Sequence, residues 1–167
     1  MKVIKDVKSL KEELSFLKNH KIGFVPTMGA LHAGHLSLIE IAKRQCDYIL
    51  TSIFVNPTQF DNEEDLKKYP NTIDSDLNYL KNIKTDIVFC PNFNDLYKFE
   101  KPLHLDLNGL DQTLEGTNRK GHFDGVLRVV NLFFSLINPN YVFFGEKDYQ
   151  QYLIINELCK IHFPWRT

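Results

Sequence analysis

The sequence has few cysteines and no long apolar run, and both shortages exclude whole classes of protein. Cys46, Cys90 and Cys159 are odd in number, far apart and without a C-x-x-C spacing, which disfavours a disulfide framework or a zinc ribbon. They indicate buried thiols in a reducing cytoplasm. No apolar stretch approaches the roughly 18 residues of a membrane span, and the charged N-terminal segment lacks the apolar core of a signal peptide.

The sequence also lacks an excess of charge of one sign. Its 20 Lys and Arg residues face 21 Asp and Glu residues, a formal net charge of -1, so no basic field indicates a nucleic-acid partner. Aromatic residues make up 13% of the chain, and they are expected in the core. The 167 residues, 43% of them hydrophobic and 25% charged, are the length and composition of one globular domain.

Short apolar runs alternate with segments of helical periodicity along the chain. The runs predict strands at 22–25, 48–55, 86–90 and 141–144, and the periodic segments predict helices at 9–20, 36–44, 74–82, 123–136 and 149–161. Segment 61–69 reads as a loop and 92–103 as irregular, with a short strand at 104–107. A Ser9-x-x-Glu12 capping box is expected to begin the first helix. Continuous apolar strands predict an α/β fold with a parallel sheet covered on both faces.

Ligands of such sheets bind beyond the carboxyl ends of the strands. The first predicted sheet strand is followed by P-T-M-G-A-L-H-A-G-H at 26–35, which leads into a helix. Glycines and a helix N-terminus suit phosphate binding, and His32 and His35 can share one helical face. The alternatives are a capping or packing pair and a metal pair, but no third ligand for zinc is nearby in sequence.

Two further loops carry polar side chains at the same expected edge. Gln59 follows the second strand in F-V-N-P-T-Q-F and can either fix a hydroxyl or carboxylate or be a solvated turn residue. The last strand leads into G-E-K-D-Y-Q-Q, where Lys147 suits phosphate binding and Gln151 lies one helical turn later. A helix cap followed by a solvated helix face is the alternative explanation of this loop. Arg119 and His122 can reach an anion or simply precede a helix.

Together these segments resemble the pantothenate synthetase family, the pantoate–β-alanine ligases. The motifs P-T-M-G-A-L-H-A-G-H, S-I-F-V-N-P-T-Q-F, G-H-F-D-G-V and F-F-G-E-K-D-Y-Q-Q stand in the family's order, and Tyr69-Pro70-x-Thr72 matches its Y-P-R-T segment. The resemblance covers residues 1–160 and implies a doubly wound, Rossmann-like sheet of the H-x-G-H nucleotidyltransferases. It also implies a ligase of coenzyme A biosynthesis that joins pantoate and β-alanine through a pantoyl adenylate, with ATP and Mg²⁺, in a cytoplasmic homodimer.

The resemblance assigns roles to nine residues. His32, His35 and Lys147 are the catalytic residues that it implies. ATP contacts fall to Met28, His32, His35, Gly145, Lys147 and Asp148, pantoate contacts to Gln59 and Gln151, and magnesium to Asp76.

The sequence departs from the family pattern in two places. Arg128 stands where the family usually has Thr, which is expected to alter helix packing or charge near the cleft. Family members are longer and carry a smaller C-terminal domain, so this chain is expected to be the N-terminal ATP- and pantoate-binding domain, residues 1–160, with a truncated or atypical tail at 161–167. Two alternatives are a nucleotide- or pantoate-binding fragment with little catalysis and another H-x-G-H nucleotidyltransferase.

Overall fold

A five-stranded sheet lies at the centre of the computed structural model, which describes residues 1–107, 109–113, 115–119 and 121–163. Its strands are β1 (Lys2–Ile4), β2 (Ile22–Thr27), β3 (Tyr48–Ile53), β4 (Ile87–Phe89) and β5 (Tyr141–Val142). They lie in the order β1-β4-β3-β2-β5, and every ladder between them is parallel. The predicted α/β fold with a parallel sheet is therefore confirmed.

Helices connect the strands and cover the sheet. They are α1 (Val7–Phe16), α2 (Ala33–Lys43), α3 (Glu63–Lys68), α4 (Ile73–Asn82), α5 (Phe93–Tyr97), α6 (Glu115–Asn118), α7 (His122–Ile137) and α8 (Tyr149–His162). Buried residues of α1, α7 and α8 pack on one face of the sheet, and those of α2 and α4 pack on the other. Within the described ranges, no helix is long and apolar enough to span a membrane.

Burial on both faces explains why the strands are continuous apolar runs. Successive residues of a strand point to opposite faces; Phe24 enters the core beneath α7, whereas Val25 enters the core beneath α2. The Phe133 ring of α7 lies at the centre of the first core. Its centroid lies 5.5 Å from that of Phe24, 6.1 Å from Phe54 and 6.2 Å from Phe89.

Strand β2 continues through Pro26 to Thr27, although a strand ending at residue 25 was expected. Thr27 bonds toward β3, since its carbonyl accepts from the Phe54 N–H. Neighbouring residues bond to opposite sides, so the missing N–H of Pro26 faces β5. The β5 ladder has already ended there, because its pairing with β2 stops at Phe24. A proline on an unpaired strand side breaks no ladder hydrogen bond.

The predicted Ser9-x-x-Glu12 capping box is wrong, and α1 begins earlier. Asp6 is the N-cap, and its carboxylate accepts from the Ser9 backbone N–H at 2.8 Å and from the Ser9 hydroxyl at 2.8 Å. Asp95 also accepts from the Val7 N–H at 2.8 Å. A partner 88 residues away therefore helps to begin the helix, and sequence periodicity does not show such a contact.

Three segments differ from the sequence prediction. The expected loop at 61–69 contains α3, which Asn62 caps by accepting from the Asp65 N–H at 2.8 Å. The segment expected to be irregular contains α5, and Asn92 caps it in the same way at 2.9 Å. The short strand expected at 104–107 does not form, and β1 was not predicted.

Helix α8 extends into the segment that was expected to be the tail. Helix α8 continues through Ile161 and His162, and Phe163 is buried with its ring centroid 5.4 Å from that of Phe134. Residues 164–167 of the predicted tail lie outside the described residues.

Replacing Phe133 by alanine tests its place at the centre of the core. We expect Phe133→Ala to lower the free energy of unfolding by about 3–5 kcal/mol, because three buried rings lose their shared neighbour. The matched control is Phe16→Ala, since the Phe16 side chain is 80% exposed and its change should stay within about 0.5 kcal/mol. Urea denaturation followed by circular dichroism measures both, and equal losses would contradict the assignment.

Candidate active site

Three polar loops meet at the carboxyl edge of the sheet. Strand β2 lies between β3 and β5, so the loops that follow these three strands are neighbours. The strand that follows β2 along the chain, β3, lies on one side of β2, and the last strand, β5, lies on its other side. Strand order therefore reverses at β2. Parallel sheets bind ligands at this kind of switch point. The sheet thus brings the three predicted site loops to one edge.

The loop after β2 has a strained backbone. Gly29 has φ of 82° and Ala30 has φ of 50°, so two consecutive residues are left-handed. This conformation costs a residue with a side chain roughly 1–2 kcal/mol. A Cβ on Gly29 would also lie 3.0 Å from an Asp76 carboxylate oxygen. The loop therefore requires glycine at position 29 and outside support at position 30.

Asp76 of α4 supplies that support. Its side chain is buried and accepts from the backbone N–H groups of Ala30 at 2.9 Å and Leu31 at 2.8 Å. The Thr72 hydroxyl donates to the same carboxylate at 2.9 Å. Charge-assisted hydrogen bonds of this kind are stronger than neutral ones. Asp76 thus fixes the loop that leads into α2, a role that the sequence did not reveal.

His32 and His35 form a reciprocal cap at the start of α2. The His32 Nδ1 accepts from the Gly34 N–H at 3.1 Å, and the His35 Nδ1 accepts from the His32 N–H at 3.4 Å. Their ring centroids are 4.2 Å apart. Because both Nδ1 atoms accept, each neutral ring carries its proton on Nε2. The two histidines therefore form the capping pair that the sequence allowed as an alternative. The cap leaves the Nε2–H groups of both rings as donors for other partners.

His35 is the more buried of the two rings. Burial lowers its pKa, and the positive charge of a protonated His32 lowers it further. The carboxylates of Asp76 and Asp148 act in the opposite direction, and Lys147 again lowers the pKa. Lys147 and Asp148 belong to the loop after β5, the strand that neighbours β2. The net effect favours a neutral His35 imidazole at neutral pH.

Gln59 lies in the 3-10 turn Pro57–Gln59 after β3. Its side chain is only 8% exposed, so the solvated-turn alternative does not hold. The Gln59 Nε2 donates to the Met28 sulfur at 3.0 Å, and its Oε1 accepts from the Asn56 amide at 3.3 Å. Two predicted residues, from the loops after β2 and β3, are therefore in contact.

The loop after β5 is more open. Gly145, Lys147 and Asp148 are exposed, and residues Glu146–Asp148 form a 3-10 turn. Asp148 occupies the N-cap position of α8 but makes no side-chain capping hydrogen bond. Gln151 is half-buried on the first turn of α8. The neighbouring Gln150 instead tethers the chain by donating to the carbonyls of Leu110 and Thr113, each at 2.6 Å.

His122 and Arg119, which the sequence suggested as anion-binding residues, both contact other protein groups in this structure. His122 is buried, and its Nδ1 lies 2.8 Å from the Gln59 carbonyl oxygen, so it supports the turn that carries Gln59. Arg119 forms an ion pair with Asp61 at 3.9 Å. Arg128, the departure from the family pattern, binds both oxygens of Glu100 at 2.6 and 3.0 Å.

A cavity of about 530 Å³ opens beside Met28 at the ends of β2, β3 and β4. Tyr69, Asp76 and Cys90 are among the residues that line it. Burial raises the pKa of the Cys90 thiol to about 11. A thiol that stays protonated at neutral pH is a poor nucleophile, so this wall of the cavity does not indicate covalent catalysis.

Comparison with known proteins identifies the family. The family model described as Pantoate-beta-alanine ligase matches residues 2–164. The chain belongs to the pantoate–β-alanine ligase family. Two similar curated proteins are the pantothenate synthetases of Buchnera aphidicola subsp. Schizaphis graminum, 47% identical over 98% of this chain, and Phocaeicola vulgatus, 43% identical over 96%. The chain spans 59% and 57% of those two proteins.

Solved structures of the family share this fold. The pantoate-beta-alanine ligase of Francisella tularensis, complexed with beta-gamma ATP and beta-alanine, superimposes with a TM-score of 0.94 at 41% identity, covering all of this chain and 65% of that one. The pantothenate synthetase of Thermus thermophilus gives 0.88 at 37% identity, covering 98% and 59%. The predicted fold and family membership are both confirmed.

Asn56 and Tyr97 also support the Gln59 turn, and neither was predicted from the sequence. Asn56 is 1% exposed and binds both the Gln59 side chain and the Gly125 carbonyl. Its place directly before Pro57 and Thr58 is a signal for a side-chain-capped turn. Tyr97, which donates to Asn56 at 2.8 Å, lies in the segment expected to be irregular, and no local pattern marks it.

Replacing Asp76 tests its support of the loop after β2. We expect Asp76→Asn to lower the free energy of unfolding by about 2–3 kcal/mol, because both backbone N–H groups lose a charged acceptor and one of them meets an amide NH₂. Asp74→Asn is the matched control, since Asp74 is exposed on the same first turn of α4 and loses only the helix-dipole contribution. Thermal unfolding measures both, and equal shifts would refute the role.

The lowered pKa of His35 has a direct test. In an NMR titration, with the His35 signal assigned from its absence in His35→Gln, the midpoint should fall below the ordinary value of 6.5. The unfolded chain then binds the proton more readily than the folded chain. His35 therefore costs stability as the pH falls from 6.5 to the folded-state pKa, and not above 6.5. A midpoint at or above 6.5 would contradict the burial argument.

Proposed function

We propose that this chain activates pantoate with ATP and joins it to β-alanine, forming pantothenate, AMP and pyrophosphate. The observation that carries the proposal is the pair of Nε2–H imidazoles at the start of α2, at the same edge of the sheet as the loop that holds Lys147 and Asp148. The pair stands one loop away from a buried glutamine amide. The family membership, and the ligase relative complexed with beta-gamma ATP and beta-alanine, support the same chemistry.

The triphosphate would rest against the first turn of α2. Free backbone N–H groups and the positive end of the helix dipole favour phosphate there, and the Nε2–H groups of His32 and His35 add two donors. A neutral His35 avoids the cost of burying a charge before the nucleotide arrives. Exposed Lys147 is placed to neutralise phosphate charge. Gly145 and Asp148 would lie toward the ribose and adenine, and the Met28 backbone toward the phosphates.

Pantoate would bind between the loops after β3 and β5. Gln59 and Gln151 offer amide groups for its hydroxyl and carboxylate oxygens. One carboxylate oxygen then attacks the α-phosphorus, and the bond to pyrophosphate breaks. The β-alanine amine attacks the carbonyl of the resulting pantoyl adenylate, and AMP leaves with the bonding electron pair. The chain contributes orientation and stabilisation of developing charge.

Magnesium fits the nucleotide better than it fits this chain. Among the described residues, no group of three carboxylate, imidazole or thiol side chains could hold a metal ion. The Asp76 oxygens already accept from two backbone N–H groups and a hydroxyl, which does not suit the predicted metal ligation. A magnesium ion would instead be held by phosphate oxygens and water, as is common for this ion.

Two implied properties remain part of the proposal. The family resemblance favours a homodimer. A reducing, cytoplasmic location is supported by the three cysteines, all of which are free thiols, since disulfides are rare in that compartment.

Isotope exchange between pyrophosphate and ATP tests the activation step. We expect exchange that depends on pantoate and needs no β-alanine, with pantothenate formed when β-alanine is added. Gln59→Ala should raise the pantoate concentration for half-maximal exchange at least tenfold and leave that for ATP within about twofold, since one buried hydrogen bond to a charged ligand is worth about 1.5–3 kcal/mol. Equal effects on both substrates would contradict the assigned role.

The same preparation separates the alternatives. Pantoate binding without exchange would indicate a binding fragment. Stabilisation by phosphopantetheine or nicotinamide mononucleotide, and not by pantoate with ATP, would indicate another nucleotidyltransferase, because a ligand raises the melting temperature only of a protein that binds it.

A further inference from the structure

A chain of hydrogen bonds leads from the half-buried Tyr97 to the buried Gln59 amide. The Tyr97 hydroxyl donates to the Asn56 Oδ1 at 2.8 Å, and the Thr58 hydroxyl donates to the same oxygen at 3.1 Å. The Asn56 Nδ2 then donates to the Gln59 Oε1 at 3.3 Å. Asn56 is 1% exposed, which shields its amide from water, while the Thr58 and Tyr97 hydroxyls are half-buried.

The partners of Asn56 allow only one orientation of its amide. Its nitrogen lies 3.0 Å from the Gly125 carbonyl, which can only accept, and its oxygen faces two hydroxyl donors and the Thr58 backbone N–H. Rotating the amide by half a turn would place an oxygen against a carbonyl and an NH₂ against an N–H. Buried polar groups left unpaired in this way cost about 1–3 kcal/mol each.

The orientation of Asn56 in turn fixes that of Gln59. Because the Asn56 nitrogen donates to the Gln59 Oε1, the Gln59 NH₂ group faces the other way, toward the Met28 sulfur at 3.0 Å. A thioether is a weak acceptor, so a ligand oxygen can replace it at little cost. Gln59 therefore presents a donor and not an acceptor.

We propose that Tyr97 is a positioning residue that acts through Asn56 to hold the Gln59 amide with its NH₂ group toward the substrate. The proposal rests on the function proposed above. It specifies that Gln59 recognises an acceptor oxygen, such as a carboxylate or hydroxyl oxygen of a small hydroxy acid, and that a residue of α5 contributes to this selectivity by holding Asn56 in place.

Tyr97 is itself held in place. The Arg128 guanidinium lies 5.6 Å from the centre of its ring and is paired with Glu100 through two hydrogen bonds. Burial raises the pKa of the Tyr97 phenol, which keeps its proton available for donation at neutral pH. The arginine that departs from the family pattern thus braces the outer end of this hydrogen-bond chain.

Tyr97→Phe removes the hydroxyl and leaves the ring in place. Calorimetry on the full 167-residue chain should show pantoate binding weakened about three- to tenfold, the value of one net hydrogen bond, with ATP binding within twofold of wild type. Tyr79→Phe is the matched control, because Tyr79 is 48% exposed and should leave both affinities unchanged. Pantoate binding within twofold of wild type in Tyr97→Phe would overturn the proposal.

A double-mutant cycle distinguishes positioning from a general structural effect. If Tyr97 acts through Gln59, the double variant Tyr97→Phe/Gln59→Ala should bind pantoate as weakly as Gln59→Ala alone. Additive losses would mean that Tyr97 affects the site by another route, and would also overturn the proposal.

A measurement without ligand separates this proposal from the proposed function. The Gln59 side-chain NH₂ signals, assigned by their absence in Gln59→Ala, should shift and exchange faster with water in Tyr97→Phe but not in Tyr79→Phe. If the wild-type chain binds no pantoate, the proposed function fails, while these signals still decide the positioning role. Unchanged signals in Tyr97→Phe would refute that role whatever the ligand.

Discussion

The site depends on one buried carboxylate beneath a strained loop. Asp76 accepts from the Ala30 and Leu31 backbone N–H groups, and those contacts offset the left-handed conformation of Ala30. Without them the chain between β2 and α2 would relax toward a more extended path. The first turn of α2 would then lose its fixed position relative to the sheet. The placement of Met28, His32 and His35 thus depends on a residue of α4, not on the motif that contains them.

The described residues of the site also provide a positive potential without a buried fixed cation. The histidine pair caps its own helix, so each ring keeps a single donor, and burial keeps His35 neutral. The positive potential comes from the helix N-terminus and from Lys147, which stays exposed on a separate loop. A site of this kind can bind an anion without burying a fixed cation first, and so avoids the desolvation cost that such burial carries.

Sequence predicted the parts of this arrangement that depend on local chemistry. Apolar runs gave the positions of β2 to β5 because both faces of the sheet are buried, and the polar residues after those strands were correctly expected at one edge. The start of α1 was misplaced because Ser9 was expected as the N-cap, whereas Asp6 caps the helix and Asp95 binds its first N–H from 88 residues away. Asp76 holds a loop 45 residues away, which the sequence did not reveal, and its assignment to magnesium stays a prediction. Contacts over such distances follow from packing, which no local pattern encodes.

Helix packing also sets the polarity of the proposed pantoate site. A Cβ on Gly125 would lie 2.3 Å from the Thr58 carbonyl oxygen, so only glycine lets α7 approach the turn that carries Gln59. That approach brings the Gly125 carbonyl to the Asn56 nitrogen. The carbonyl selects one orientation of the Asn56 amide, and Asn56 selects one orientation of Gln59. The close approach of α7 to this turn therefore helps to decide whether Gln59 offers a donor or an acceptor to the substrate. Either end of an amide side chain can face a ligand until a hydrogen bond fixes the other end.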